Sequence, residues 1–124
     1  MVLRVLSGAF ALLFLFGAAV QWNDPDPLRW MLAYGAVAAL SAGAAAGRLT
    51  VVPTGVVLAG LTLWLAIWSP AFANSSLAAM QSFGMSGAVQ EEEVREAWGL
   101  LLLVLWTGVL LGAGLRRASR SAGR

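Results

Sequence analysis

The side chains best suited to chemistry in this sequence are its six carboxylates, which are concentrated in two short segments. Asp24 and Asp26 lie in QWNDPDPLRW, and four glutamates lie in QEEEVREAW. Each segment also carries one arginine, Arg29 in the first and Arg95 in the second. Carboxylates grouped in this way can act as a general acid and base. They can also ligate hard cations such as Ca²⁺, Mg²⁺ or Mn²⁺, or hold an arginine in place.

The residue types that the chain lacks exclude most enzymatic chemistry. There is no Cys and no His, which removes thiolate nucleophiles, thiolate metal sites and the commonest general base. The sequence also has no G-x-S-x-G motif for an activated serine. We therefore predict no enzymatic activity and no cofactor. The enzymatic alternative is a carboxylate-dependent hydrolase acting on lipid or glycan.

The composition indicates a membrane protein. Hydrophobic residues make up 60% of the 124 residues and charged residues only 11%, whereas soluble domains have about 25% charged residues. A single domain of this size could not bury so much apolar surface, so the excess must face lipid. The net charge of +2 does not indicate nucleic-acid binding, because the arginines cluster beside apolar runs.

Four apolar runs without internal charges predict four membrane-spanning helices, since about 20 residues span a bilayer. Four short strands could not close a barrel in lipid. We predict an all-α protein, a four-helix transmembrane bundle that forms one domain over residues 1–115. Its helices should cover about 3–21, 27–47, 51–73 and 93–115. A secretory signal ending near Gly17 is an alternative interpretation of the first run.

The remaining segments are a loop and a tail. Leu77, Met80 and Phe83 have the spacing of a short interfacial helix over residues 76–84, with a plain loop as the alternative. The basic tail, residues 116–124, is predicted to be disordered, cytoplasmic and attractive to anionic lipid.

The arginines predict the orientation of the chain. With four spans, the two termini and the 47–52 connection share one side, which holds six arginines and no acid. The other side holds two arginines and all six acids. The positive-inside rule then places both termini in the cytoplasm. All eight basic residues are arginine, and the chain is rich in alanine and glycine. This composition suggests the inner membrane of a bacterium.

The segment Asn23-Asp24-Pro25-Asp26-Pro27 should form a stiff corner on the outer side. Asp26 and Pro27 suit the N-cap and first position of the second helix. Each aspartate precedes a proline and should be extended, and Asn23 and Asp24 can bond the local backbone.

Arg95 should have acidic partners, because a cation near a helix N-terminus is disfavoured by the helix dipole. Glu91 is one partner at i, i+4 spacing. We expect Asp24 and Asp26 to be the others, so that Arg95 pins the corner to the fourth span.

Two further patterns lie within the spans. The small residues Gly35, Ala39, Gly43 and Gly47, with Gly108 and Gly112 in the fourth run, have the spacing that lets membrane helices approach closely. A stripe of Gly60, Trp64, Trp68 and Phe72 in the third run indicates helix packing and interfacial anchoring. A ligand pocket is the alternative for this stripe.

The two acidic segments resemble the signature segments of the transmembrane protein 220 family. The first match comprises Gln21, Asn23, Asp24, Asp26, Trp30 and Tyr34. The second comprises Glu92, Glu93, Arg95, Glu96, Gly99 and Leu100. The resemblance implies a small multi-span membrane protein and supplies no reaction or substrate.

These observations leave several functions in competition. We favour an accessory or scaffold protein, as a homo-oligomer or a subunit of a larger membrane complex. The alternative is an outer-face protein that binds or transports a divalent cation or a lipid headgroup. The candidate corner consists of Asn23, Asp24, Asp26, Arg29, Trp30, Tyr34, Glu92, Arg95 and Glu96. If a metal binds, its ligands should come from Asp24, Asp26, Glu92 and Glu96.

Overall fold

The computed structural model describes residues 1–68 and 89–124, with side chains described for residues 1–68 and 95–124. This part of the chain forms four α-helices and one 3-10 turn and contains no strand. The helices are α1 (Val2–Val20), α2 (Pro27–Ala45), α3 (Val51–Trp68) and α4 (Val89–Ala122), and the turn is Gln21–Asn23.

All four helices are long and apolar enough to span a bilayer. Large apolar side chains such as Leu12, Phe16 and Leu63 lie on the outside of the protein, as lipid-facing residues do. The predicted all-α class with four spans is therefore confirmed for the described residues. The predicted helix over 76–84 and the end of the third span, 69–73, lie outside those residues.

The helices pack mainly as two antiparallel pairs, and each pair consists of consecutive helices, α1 with α2 and α3 with α4. Helix α2 also contacts α3 and α4. The buried core includes Phe14, Trp30, Val37, Leu100 and Leu103. The Phe10 ring of α1 stacks on the Trp106 ring of α4, with centroids 4.0 Å apart. Aromatic stacking thus joins the first and last helices directly.

One buried polar link crosses the core between α2 and α4. The Trp106 indole Nε1 donates to Ser41 Oγ at 2.9 Å, and Ser41 Oγ donates to the Val37 carbonyl at 2.7 Å. Both groups are thereby satisfied away from water, as buried polar groups in lipid need to be.

The end of α2 closes with a glycine cap. Gly47 has a positive φ of 81°, which a residue with a Cβ adopts only under strain. This turn lets the Arg48 N–H donate to the Gly43 carbonyl at 2.8 Å, a bond typical of helix C-termini. The chain can then reverse into α3 within a few residues.

Two arginines bring both chain termini to this same end of the molecule. Arg4 Nε donates to the Ala45 carbonyl at 2.9 Å, and Arg117 Nη1 donates to the Gly47 carbonyl at 2.7 Å. Cations here also complement the negative end of the α2 dipole. We call this end, with Arg4, Arg48, Arg116, Arg117, Arg120 and Arg124, the basic end.

The tail is helical, and the prediction that it is disordered is wrong. Helix α4 continues to Ala122, so its 34 residues extend for about 51 Å, well beyond the hydrocarbon thickness of a bilayer. Extending an existing helix avoids the cost of nucleation. Ser119 and Ser121 also donate to the Arg116 and Arg117 carbonyls, at 3.0 and 3.1 Å.

Three glycines of the small-residue stripes make no close contact with the rest of the described chain. A Cβ added at Gly35, Gly108 or Gly112 would meet no atom within 4 Å. Four-residue spacing places such residues on one face, but it does not determine which face packs inside the chain. In contrast, Trp64 and Trp68 of the aromatic stripe do pack against the core. Phe72 lies outside the described residues.

Candidate functional site

The backbone of the acidic corner is extended before Pro25, as predicted, but not before Pro27. The chain leaves α1, makes the 3-10 turn, and becomes extended at Asp24, with φ −74° and ψ 149°. Asp24 Oδ1 accepts the backbone N–H of Asp26 at 3.1 Å, as expected for an Asx turn. Asp26 is the N-cap of α2, followed by Pro27. Its ψ of 58° departs from the extended geometry predicted for it.

The Asp26 side chain pairs with Arg29 and does not cap the helix. Arg29 Nη2 donates to Asp26 Oδ2 at 2.8 Å, and both side chains are largely exposed. The Arg29 guanidinium also lies 5.2 Å from the centre of the Trp64 ring, within cation–π range. Arg29 therefore links the start of α2 to α3.

Beside this ion pair, the corner encloses an open pocket of about 510 Å³. We call it the corner pocket. Its described lining residues are Val20, Gln21, Asn23, Asp24, Pro25, Trp30, Tyr34, Arg95 and Glu96.

The corner pocket gathers six of the nine predicted corner residues, namely Asn23, Asp24, Trp30, Tyr34, Arg95 and Glu96. Asp26 and Arg29 do not line it, and the Glu92 side chain lies outside the described part of the chain. The prediction omitted Val20, Gln21 and Pro25. Gln21 was the detectable one, because it opens the same polar segment.

The predicted fork of Arg95 across Asp24 and Asp26 is absent. Among the described side chains, neither a hydrogen bond nor an ion pair joins Arg95 to either aspartate. Asp26 is held by Arg29, which is only three residues away on the same helix. Arg95 is exposed and lines the pocket beside Tyr34 and Glu96.

Tyr34 forms one wall of the pocket, and two glycines flank its ring. A Cβ added at Gly17 of α1 would lie 2.9 Å from Tyr34 Cδ1. A Cβ added at Gly99 of α4 would lie 2.5 Å from the Tyr34 hydroxyl oxygen. Real Cβ atoms essentially never approach so closely. The two glycines therefore create the space in which α2 places this ring between α1 and α4.

Trp30 supports the pocket from the core side. Its side chain is 2% exposed, and its ring centre lies 4.7 Å from that of Trp64 and 6.4 Å from that of Tyr34. Its indole Nε1 is buried without a hydrogen-bond partner among the described residues. The Trp106 indole, by comparison, is satisfied by Ser41. Of the two tryptophans, the one with the unsatisfied donor is the one that lines the pocket; the Ser7 hydroxyl in α1 is also buried without a partner among the described residues.

The described side chains of the corner pocket carry both charge signs. Asp24 and Glu96 contribute negative charge and Arg95 contributes positive charge. Within the described residues, no group of three or more Asp or Glu side chains could hold a metal. The pocket offers carboxylate and amide acceptors together with guanidinium, amide, phenol and indole donors.

Comparison with known proteins identifies the family. No curated protein and no solved structure matches the sequence. The sequence model of transmembrane family 220, described as a helix family, matches residues 13–112. This range includes the corner, Tyr34 with both flanking glycines, and the start of α4. The match covers most of the chain, and the protein is therefore a multi-pass membrane protein that belongs to transmembrane family 220.

Proposed function

We propose that this protein is a non-catalytic accessory protein of the membrane that holds a lipid headgroup in the corner pocket. The observation that carries the proposal is the pocket itself, which has both charge signs and a wall fixed by Tyr34 between two glycines. Preformed concave sites with a few convergent polar groups are typical of small-ligand binding. Its place at the polar end of three spans is the depth at which headgroups lie.

The proposed orientation places the corner pocket at the outer leaflet of a bacterial inner membrane. The contacts of Arg4 and Arg117 with the end of α2 support a common side for both termini and the α2–α3 connection. Six arginines at that end favour the cytoplasm. A cytoplasmic reporter fused after Arg124 should be active, and an active periplasmic reporter at that position would refute the orientation.

Headgroup binding agrees better with the described side chains than the cation and hydrolase alternatives do. Arg95 contributes a positive charge that would compete with a divalent ion, but it can bind a phosphate oxygen. Two carboxylates, Asp24 and Glu96, line the pocket, and no serine or threonine is among its described lining residues. Binding a headgroup without a reaction requires only charged and hydrogen-bonding side chains, and the described lining residues supply these.

Native mass spectrometry of the purified protein with added phospholipids tests the proposal. We expect discrete lipid adducts that Arg95→Gln removes and that the matched control Arg29→Gln retains. Both variants lose one positive charge at the same end of the molecule, but only Arg95 lines the pocket. Equal adduct loss in both variants, or retention of all adducts in Arg95→Gln, would contradict headgroup binding at this site.

A second site for lipid is proposed at the basic end. Arg116 and Arg120 lie four residues apart on α4, and together with Arg117 and Arg124 they line a cleft of about 590 Å³. Like charges at this spacing repel each other, and a lipid phosphate between them would relieve that repulsion. Replacement of Arg120 and Arg124 by Gln should weaken binding to vesicles containing anionic lipid and leave neutral-lipid binding unchanged. Equal binding of both vesicle types by the wild-type protein would refute this second site.

A scaffold or subunit role is the second candidate function, and the glycine positions favour it. Gly35, Gly60, Gly108 and Gly112 have open space where a Cβ would lie, so these small residues remain available to another helix. Gly35→Leu should disrupt self-association or a contact with another subunit. Leu32→Ala, which changes a neighbouring exposed residue, should leave that contact intact. A wild-type protein that stays monomeric and without partner subunits in several mild detergents would refute this role.

A further inference from the structure

We infer that the ligand of the corner pocket is a zwitterionic headgroup that combines a primary amine with a phosphodiester, as in phosphoethanolamine lipids. This inference rests on the headgroup binding proposed above and specifies its chemistry. The pocket wall places an acidic side chain, Asp24, and a basic one, Arg95, around the same opening. A ligand that carries both charges can satisfy both residues, which do not pair with each other.

Asp24 provides the site for the amine. Its Oδ1 is engaged by the Asp26 N–H, which fixes the direction of the carboxylate. Among the described residues no hydrogen bond involves its second oxygen. An ammonium group with N–H donors can bond that oxygen directly, whereas a trimethylammonium group has no such donor. The side-chain amide oxygens of Gln21 and Asn23, which line the same pocket, are further acceptors.

Arg95 and Trp30 provide donors for the phosphodiester. The guanidinium can bind phosphate oxygens at two points. The Trp30 indole N–H is an independent indication of a ligand, because it is a buried donor without a partner among the described residues and its side chain lines the pocket. Buried donors of this kind are costly unless they are satisfied. A phosphodiester or glycerol ester oxygen is the acceptor that a lipid would bring.

The net charge of the wall argues against a purely anionic headgroup. Among the described lining residues, Asp24 and Glu96 outnumber Arg95, so a phosphoglycerol headgroup would add negative charge to an acidic excess in this part of the wall. A zwitterion adds none and places its cation beside the excess. The expected order of affinity is therefore phosphoethanolamine first, then phosphocholine, then phosphoglycerol.

Titration of the full-length protein in mild detergent with these three lipids, matched in acyl chains, tests the inference. We expect phosphoethanolamine lipid to bind about tenfold more tightly than phosphocholine lipid, the size of one charge-assisted hydrogen bond. Asp24→Asn keeps the Oδ1 acceptor of the turn and should reduce this ratio to near one. Asp26→Asn, which makes the same charge change outside the pocket, should keep the ratio. Arg95→Gln should weaken the binding of all three lipids.

The outcomes separate the two proposals. Binding that depends on Arg95 but is equal for all three headgroups would overturn the zwitterion inference and leave headgroup binding standing. Binding that does not depend on Arg95 would overturn both. Soluble glycerophosphoethanolamine provides a further comparison. If it binds as tightly as the lipid and depends on Asp24, the charge assignment stands and the lipid source is overturned.

Discussion

Gly99→Ala should destabilise the protein by forcing apart α2 and α4 at Tyr34. The added Cβ would lie 2.5 Å from the Tyr34 hydroxyl oxygen, roughly an ångström short of an ordinary contact. The ring cannot retreat easily, because the Gly17 backbone lies against its other side and the Phe14 and Trp30 rings lie nearby. One of the helices or the ring must therefore move.

The magnitude follows from two opposing effects. Overpacking a well-filled core costs about 1–3 kcal/mol. Replacing glycine by alanine inside a helix returns about 0.5–1 kcal/mol of conformational entropy. We expect Gly99→Ala to lower the free energy of unfolding by about 1–2 kcal/mol. Gly108→Ala is the matched control on the same helix, since its Cβ would meet no atom within 4 Å, and it should be neutral or stabilising.

Equilibrium unfolding of the detergent-solubilised protein in SDS, followed by tryptophan fluorescence, measures both changes. A double-mutant comparison makes the test specific. In a Tyr34→Phe background the hydroxyl is gone, and the nearest ring atom, Cζ, lies 3.7 Å from the added Cβ of Gly99→Ala. That background should therefore remove most of the cost.

Gly17→Ala should respond differently to the same background. Its added Cβ would lie 2.9 Å from Cδ1 and 3.1 Å from Cε1 of Tyr34, and phenylalanine retains both atoms. Tyr34→Phe should therefore not rescue Gly17→Ala. The proposed packing would be refuted if Gly99→Ala were as stable as Gly108→Ala, or if Tyr34→Phe rescued Gly17→Ala and not Gly99→Ala.

Three further changes test other contacts by the same unfolding measurement. Ser41→Ala leaves the buried Trp106 indole N–H without its acceptor and should cost about 1–3 kcal/mol; an unchanged stability would mean that the bond is unimportant. Asp26→Asn breaks a solvent-exposed ion pair with Arg29 and should lower the free energy of unfolding by less than about 1 kcal/mol. A larger loss would contradict the view that this pair contributes little to stability. Arg4→Gln removes a hydrogen-bond donor to the end of α2 and should lower the free energy of unfolding by about 0.5–1.5 kcal/mol. A variant as stable as the wild-type protein would contradict this expectation.

The spans could be predicted because they depend on one-dimensional properties. A helix that spans a bilayer requires about 20 apolar residues whose backbone hydrogen bonds are satisfied locally. The four apolar runs indicate such helices without any knowledge of how the helices pack. Local turn chemistry was accessible for the same reason. The bond from the Asp26 N–H to Asp24 and the position of Pro27 at the start of α2 depend only on neighbouring residues.

The partners of charged and small residues were harder to predict because they depend on three-dimensional distances. Topology placed Arg95 near both aspartates, but Asp26 found a closer partner in Arg29, one helical turn away. The spacing of Gly35 and Gly108 suggested helix contacts, whereas the shortest approaches to a neighbouring side chain occur at Gly17 and Gly99. Neither of these belongs to the glycine stripes, and only their juxtaposition across Tyr34 gives them a role.

The two ends of α2 differ in how the charged side chains beside them are bonded. At the basic end, Arg4 and Arg117 donate directly to carbonyls at the end of α2, so that internal bonds tie the chain segments together. At the acidic end, Asp24 and Arg95 line one opening without bonding each other in the described structure, and the Trp30 donor beside them is unsatisfied. A membrane protein needs its polar groups satisfied. The unsatisfied Trp30 donor and the charged side chains around the corner pocket support the headgroup binding proposed above.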